Sequence, residues 1–264
     1  LILTTKKMKP LKVVKIGGKL IEDSAKFDEF LEDFKNLEGY KILVHGGGNM
    51  ATQISEKLGY ETKMVDGRRI TDEDTVKVIT MVYGGLINKN IVAKLQSMHT
   101  NAIGLCGADG QSILSVKRPV KNIDYGFVGD IEKVNSEFIG ALLEDGVVPV
   151  FSAISCTKDG VLLNTNADSI ASEIARAMSK SYETELYYCF EKQGVLADAS
   201  DDESVIKEID FLQYKTLVEK QVITDGMLPK LQNCFEALEQ GVQKIHLGNH
   251  QSLKENTTHT KIIQ

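Results

Sequence analysis

The sequence predicts an α/β fold, a three-layer αβα sandwich around a mainly parallel central sheet. Two observations carry that prediction. Short apolar or β-branched runs recur at residues 11–16, 41–44, 102–106, 147–154, 186–189 and 244–247. Most are dominated by consecutive apolar residues rather than strict alternation, as strands of a parallel sheet covered on both faces are. Stretches of helical periodicity separate most of them, at residues 27–37, 50–58, 72–97, 169–178 and 230–239. Such strand–helix alternation puts helices on both faces of a parallel sheet. With 264 residues, the chain is long enough for one large domain or two lobes.

Residues 1–7 precede Met8 and show no pattern, so the fold prediction begins after them. The first strand, 11–16, runs into Lys15-Ile16-Gly17-Gly18-Lys19. Glycines at the end of a parallel strand let backbone N–H groups face an anion, and lysine adds a full charge; a tight turn beside a solvated lysine is the plainer alternative. The second strand, 41–44, leads into His45-Gly46-Gly47-Gly48-Asn49 and then a helix at Met50. Three glycines in a row cost backbone entropy, which favours a ligand contact. Gly46-x-Gly48-x-x-Ala51, with Asp66 later, also matches the dinucleotide-binding fingerprint. That unit is the second βα of the chain and its spacing to Asp66 is short, so the dinucleotide reading stays secondary.

Asp66-Gly67-Arg68-Arg69-Ile70-Thr71 follows, where an arginine fork has the geometry to hold a carboxylate bidentately. Thr71 and Asp74 form a capping-box-like start for a helix whose apolar positions are Val76, Ile79, Val82, Leu86 and Ile87. Gly84-Gly85 either kinks that helix or lets another backbone approach. It is a core helix or a subunit-contact helix. Turn signals across residues 109–129 predict hairpins. Asn164-Thr165-Asn166-Ala167-Asp168-Ser169 caps the helix that follows, or holds a substrate and orients a lysine. Residues 197–203 are an acidic, solvated loop. In Thr224-Asp225-Gly226-Met227-Leu228-Pro229-Lys230, the lysine sits near a helix start and opposes the helix dipole, a conflict that a nearby anion would remove.

Composition narrows the function. A net charge of −6 without a Lys/Arg-rich run argues against nucleic-acid binding. The apolar runs fall well short of the roughly 18 residues a membrane span needs, and no signal peptide is evident. A cytoplasmic protein is expected. Cys106, Cys156, Cys189 and Cys234 form no CxxC pair and read as buried thiols in a reducing compartment. The P-loop pattern, the protein-kinase signatures, the zinc spacings and the GxSxG elbow are all absent. No metal-binding set is expected.

Taken together, KIGG at 15–18, HGGG at 45–48, DGRRIT at 66–71, GFVG at 126–129, NTNADS at 164–169 and ITDGMLPK at 223–230 resemble the motifs of the amino acid kinase family. The resemblance spans about residues 12–247, with order and spacing kept, and is strongest to the branch acting on N-acylated glutamate. It implies an amino acid kinase-like sandwich with one continuous sheet. Residues 8–175 would bind the acylglutamate and dimerise, and residues 176–264 would bind the nucleotide. The implied reaction is ATP-dependent phosphorylation of the γ-carboxylate of N-acetyl-L-glutamate in arginine biosynthesis, with Mg²⁺ carried by the nucleotide. N-succinyl-L-glutamate is the alternative acceptor; a non-catalytic homologue is a further one.

Family roles transfer by position. Lys15 and Lys230 would stabilise the transferring phosphoryl group, with Asp168 orienting both. Gly47, Gly48, Arg69, Asn164 and Asn166 would bind the acylglutamate. Gly17, Gly18, Glu191, Gly194 and Gly226 would meet the nucleotide. Phe190-Glu191-Lys192-Gln193-Gly194 stands where the family has a small hydroxyl residue, Asp, a β-branched residue and Gly two further on; Phe190 replaces the hydroxyl and Lys192 the apolar residue, while Glu191 keeps an acid. Arginine-inhibited members carry an additional N-terminal helix. Lys15 lies near the start of this sequence, so a homodimer insensitive to arginine is expected.

Overall fold

The computed structural model describes residues 8–65, 68–223 and 227–264. Its main sheet has eight strands, in the order Glu208–Ile209, Thr260–Ile262, Lys244–Gly248, Tyr182–Cys189, Lys9–Ile16, Tyr40–His45, Val148–Ser152, Ala102–Leu105. From Lys244–Gly248 to Ala102–Leu105 all neighbours pair in parallel. Thr260–Ile262 is antiparallel to Lys244–Gly248 and carries Glu208–Ile209 at the edge.

Strand alternation splits the core into two layers. Leu11 and Val13 face helices Ser136–Glu144, Ala167–Met178 and Met227–Glu239. Val14 and Ile16 face Ser24–Asn36, Gly48–Lys57 and the helical stretch 73–97. Each fully buried aliphatic side chain contributes about 1.5–3 kcal/mol, and both layers are lined with them. The predicted three-layer sandwich is therefore observed. Cys156, Cys189 and Cys234 are buried free thiols and Cys106 is half-buried. Among the described residues no helix is long and apolar enough to cross a membrane.

Local details differ from the sequence reading in four places. The apolar run 147–154 is two strands in different sheets: Val148–Ser152 stays in the main sheet, while Ile154–Cys156 joins a four-stranded sheet with Leu162–Asn164, Ile113–Lys117 and Gly129–Val134. The hairpin expected in 109–129 is consequently wider, Ile113–Lys117 pairing antiparallel with Gly129–Val134 across a bulge at Leu114/Ser115. The helix expected to start at Thr71 is capped by Asp72, whose carboxylate accepts from the Thr75 N–H at 2.8 Å. Gly84-Gly85 does not break that helix; Thr80–Ile87 is a π-helical segment between Glu73–Ile79 and Asn88–Ser97. Insertions of this kind recur at functional sites.

Candidate active site

Alternation along Lys9–Ile16 places Lys15 on the face of Leu11 and Val13, beneath the start of helix Ala167–Met178. That helix lies on the sheet through Ile170, Ala171, Ile174, Ala175 and Met178, an apolar stripe at helical spacing. Its first turn therefore overhangs the strand end. Asp168 in that turn forms an ion pair with the Lys15 ammonium through Oδ1 at 2.7 Å and with the Lys230 ammonium through Oδ2 at 3.3 Å. The side chains are 15%, 21% and 24% exposed for Lys15, Lys230 and Asp168, so the trio is sheltered yet open to a ligand. Burial would raise the Asp168 pKa, but the two lysine charges outweigh it and hold the carboxyl below the usual range. Asp168 also favours the positive end of its own helix, and it supplies the anion that Lys230, close to the start of Met227–Glu239, lacks locally.

The glycine loops meet beside these lysines. Gly46 N–H reaches Ile16 O at 3.3 Å, joining the ends of the two neighbouring strands. Gly17 precedes the short helix Gly18–Glu22, and Gly48 opens Gly48–Lys57. A Cβ on Gly18 would sit 3.6 Å from Gly47 Cα. A Cβ on Gly47 would overlap Ile87 Cδ1 of the π-helical turn and lie 3.1 Å from Tyr83. Gly47→Ala should therefore push the loop off that helix and cost about 1–3 kcal/mol. A thermal melt unchanged from wild type would contradict this.

His45, fully buried, has a structural place. Asn88 Nδ2 donates to its Nε2 at 3.1 Å, so its Nδ1–H donates to Gly46 O at 2.9 Å. Burial lowers its pKa to about 4, opposed only by the Gly46 hydrogen bond. The unfolded chain takes up this proton near pH 6.5 and the folded chain does not. Stability from His45 is therefore fully present above about pH 6.5 and declines as pH falls to about 4, by roughly 3 kcal/mol in all. Chemical denaturation of wild type and His45→Gln across this range measures it; parallel pH profiles would refute it.

The remaining motifs form one backbone-linked wall. Thr71 N–H donates to Tyr125 O at 2.9 Å and Phe127 N–H to Thr71 O at 2.6 Å, while Asn164 N–H donates to Phe127 O at 2.8 Å. Gly126 needs its glycine there, with φ +71 and a position where a Cβ would overlap Thr71 O. Asn164 Nδ2 donates to Thr71 Oγ1 at 3.0 Å. Arg69 is buried, its Nη2 donating to Gly48 O at 2.9 Å and Thr52 Oγ1 at 2.7 Å, and its Nη1 to Thr62 Oγ1 at 3.0 Å. These bonds hold the guanidinium at the HGGG helix start. Asn166 is the helix cap, its side-chain Oδ1 accepting from the Asp168 and Ser169 N–H groups.

On the other side of the lysines, Glu191 pairs with Lys19 at 2.8 Å at the exposed mouth. Gly194 is buried where a Cβ would come 2.6 Å from Thr260 Oγ1, so close strand packing accounts for the glycine. Gly226 lies outside the described residues. Sequence reasoning gave no role to Tyr188 and noted Phe190 only as a departure from the family pattern; their ring centroids lie 5.5 and 5.2 Å from the Lys230 ammonium. Tyr188 pairs in register with Lys15 on the adjacent strand, and its hydroxyl donates to Asp168 O at 3.1 Å. Alternation from the strand core would have put Tyr188 on that face.

The fold and this cleft are those of a phosphotransferase family. The chain belongs to the amino acid kinase family, whose model matches residues 10–249. Among its relatives, an acetylglutamate kinase of Parabacteroides distasonis is 52% identical across 90% of this chain and 93% of its own length. An acetylglutamate kinase of Bacteroides thetaiotaomicron is 52% identical across 93% of this chain and 96% of its own. In fold, the chain is similar to N-acetylglutamate synthase from Neisseria gonorrhoeae complexed with coenzyme A and N-acetyl-glutamate. That similarity has a TM-score of 0.80 at 17% identity, over 98% of this chain and 60% of the other.

Proposed function

We propose that this chain transfers the γ-phosphoryl group of ATP to the γ-carboxylate of N-acetyl-L-glutamate, forming N-acetyl-L-glutamyl 5-phosphate and ADP on the route to arginine. The observation that carries the reading is the convergence of Lys15 and Lys230 on Asp168 at glycine-lined strand ends. The relatives named acetylglutamate kinase support the acceptor.

A glutamate side chain ionises near pKa 4.3, so the nucleophile is already a carboxylate at neutral pH and no general base is needed. Its oxygen attacks the γ-phosphorus in line, and the bond to the β,γ-bridging oxygen breaks as ADP leaves with those electrons. The obstacle is bringing two anions together. Lys15 and Lys230 offset the charge on the transferring oxygens, and backbone N–H groups at Gly17, Gly18, Gly47 and Gly48 add fixed dipoles. Mg²⁺, carried by the nucleotide, would neutralise its phosphates. Asp168 keeps the two ammonium groups from repelling each other out of the site.

The acylglutamate lies over residues 8–175, with Arg69 against its α-carboxylate and Asn164 and Asn166 against the acylamino group. The nucleotide lies over residues 176–264, past Glu191. The enzyme is cytoplasmic and works as a homodimer. Exposed Met81 and Leu86 on the π-helical turn and exposed Ile103 on the edge strand support the pairing. Light scattering should give twice the chain mass; a monomer would end that part of the reading.

The test is ADP release with hydroxylamine trapping of the acyl phosphate, across N-acetyl-, N-succinyl- and free glutamate. Hydroxamate should form fastest from the N-acetyl compound. Preference for the succinyl compound would change the acceptor, and ADP release without hydroxamate would overturn carboxylate phosphorylation.

A further inference from the structure

We propose that Phe190 is a positioning residue for Lys230, its ring face holding the ammonium in line with the transferring phosphoryl group. The proposal rests on the reading that Lys230 acts on that group.

Lys230 needs more than Asp168 to hold it. Its ammonium is 3.3 Å from Asp168 Oδ2, against 2.7 Å for Lys15 on Oδ1, and it extends on a flexible four-carbon stem. It also lies in the first turn of Met227–Glu239, where the helix dipole disfavours a cation. Two rings supply what is missing. The ammonium is 5.2 Å from the Phe190 centroid and 5.5 Å from that of Tyr188, within the roughly 6 Å reach of a cation–π contact.

The rings are placed by the backbone. Residues 188 and 190 are two apart at the end of Tyr182–Cys189, so they project to the same face, while Cys189 between them joins the opposite core layer. Phe190 N–H donates to Gly248 O at 2.8 Å, which extends the strand pairing and fixes the ring's origin. Tyr188 is buried and anchored on Asp168 O, the backbone of the residue that binds both lysines. Phe190 is only partly buried and carries no such second bond, which makes it the residue that can be changed without dismantling the carboxylate.

An aromatic face suits this task better than a second acid. A second carboxylate would neutralise the charge that transfer uses and would occupy ammonium protons. The ring's quadrupole attracts the cation while leaving those protons free for phosphoryl oxygens.

Steady-state kinetics of Phe190→Leu and Phe190→Tyr, and of Phe190→Leu added to Lys230→Met, test the proposal, with residual turnover followed by γ-labelled ATP. Phe190→Leu should lower kcat about tenfold. Both KM values and the melting temperature should stay near wild type, and Phe190→Tyr should restore turnover. With Lys230 already replaced, Phe190→Leu should cost nothing further. A raised KM for ATP at unchanged kcat would overturn the proposal and assign the ring to nucleotide binding. An equal loss in the Lys230→Met background would overturn it too, since the ring would then act without the lysine. Wild-type turnover by Lys230→Met alone would remove the lysine reading and the proposal with it, a result distinct from either of the others.

Discussion

Lys15→Ala is expected to lower turnover about a hundredfold or more, equivalent to roughly 3–4 kcal/mol of barrier, while the protein keeps its fold. The side chain ends in a cleft and holds no packing position, whereas Leu11, Val13, Val14 and Ile16 of the same strand are completely buried. Removing it therefore takes away a fixed cation and little core. Because chemistry rather than binding needs that cation most, the loss should appear in kcat. The Asp168 carboxyl should also become easier to protonate, since Lys15 is the larger of the two lysine contributions opposing its burial. Hydroxamate formation by a variant whose melting profile matches wild type checks the first point. Near-normal turnover would reject the assignment.

Asp168→Asn should be as damaging to turnover, about a hundredfold, for a different reason. The amide keeps the shape of the side chain but leaves two ammonium groups facing each other without their shared counter-ion. The site is about a quarter open to solvent, so screening limits the direct stability cost to roughly 1–3 kcal/mol, below the figure for a fully buried pair. The nucleotide then becomes the available anion. A non-hydrolysable ATP analogue should accordingly raise the melting temperature of Asp168→Asn by more than it raises that of wild type. An equal or smaller shift would mean that the lysines do not face the phosphates.

Much of this site was legible in the sequence because its parts lie at element junctions. Lys15-Ile16-Gly17-Gly18 and His45-Gly46-Gly47-Gly48 each follow an apolar run, so their position at strand ends follows from the periodicity alone. Asp168 is read equally well as a cap or as an anchor from local sequence; Asn166 is the cap, which frees Asp168 for the lysines. What was hidden is long-range. Nothing near Thr71 says that it will pair with residues 125–127 and 164 instead of capping a helix. Tyr188 reads as an ordinary strand residue and Phe190 only as a departure from the family pattern until Met227–Glu239 brings Lys230 over them.

The elements that escaped notice have physical reasons too. Glu208–Ile209 and Thr260–Ile262 are too short to show a period, and they exist because the sheet edge beside Lys244–Gly248 accepts them. Phe211–Glu219 has no fully buried residue, so it lacks the apolar stripe that marks Ala167–Met178. The π-helical segment Thr80–Ile87 cannot be read from Gly84-Gly85, since the same pair suits a kink equally well.

The most direct measurement is a crystal structure with MgADP, aluminium fluoride and N-acetyl-L-glutamate bound together. The account predicts that the Lys15 and Lys230 ammonium nitrogens both lie within about 3 Å of the fluoride group or its flanking oxygens, with Asp168 still touching each. A complex in which either lysine turns away from the fluoride, toward solvent or the opposite side of the sheet, would contradict it.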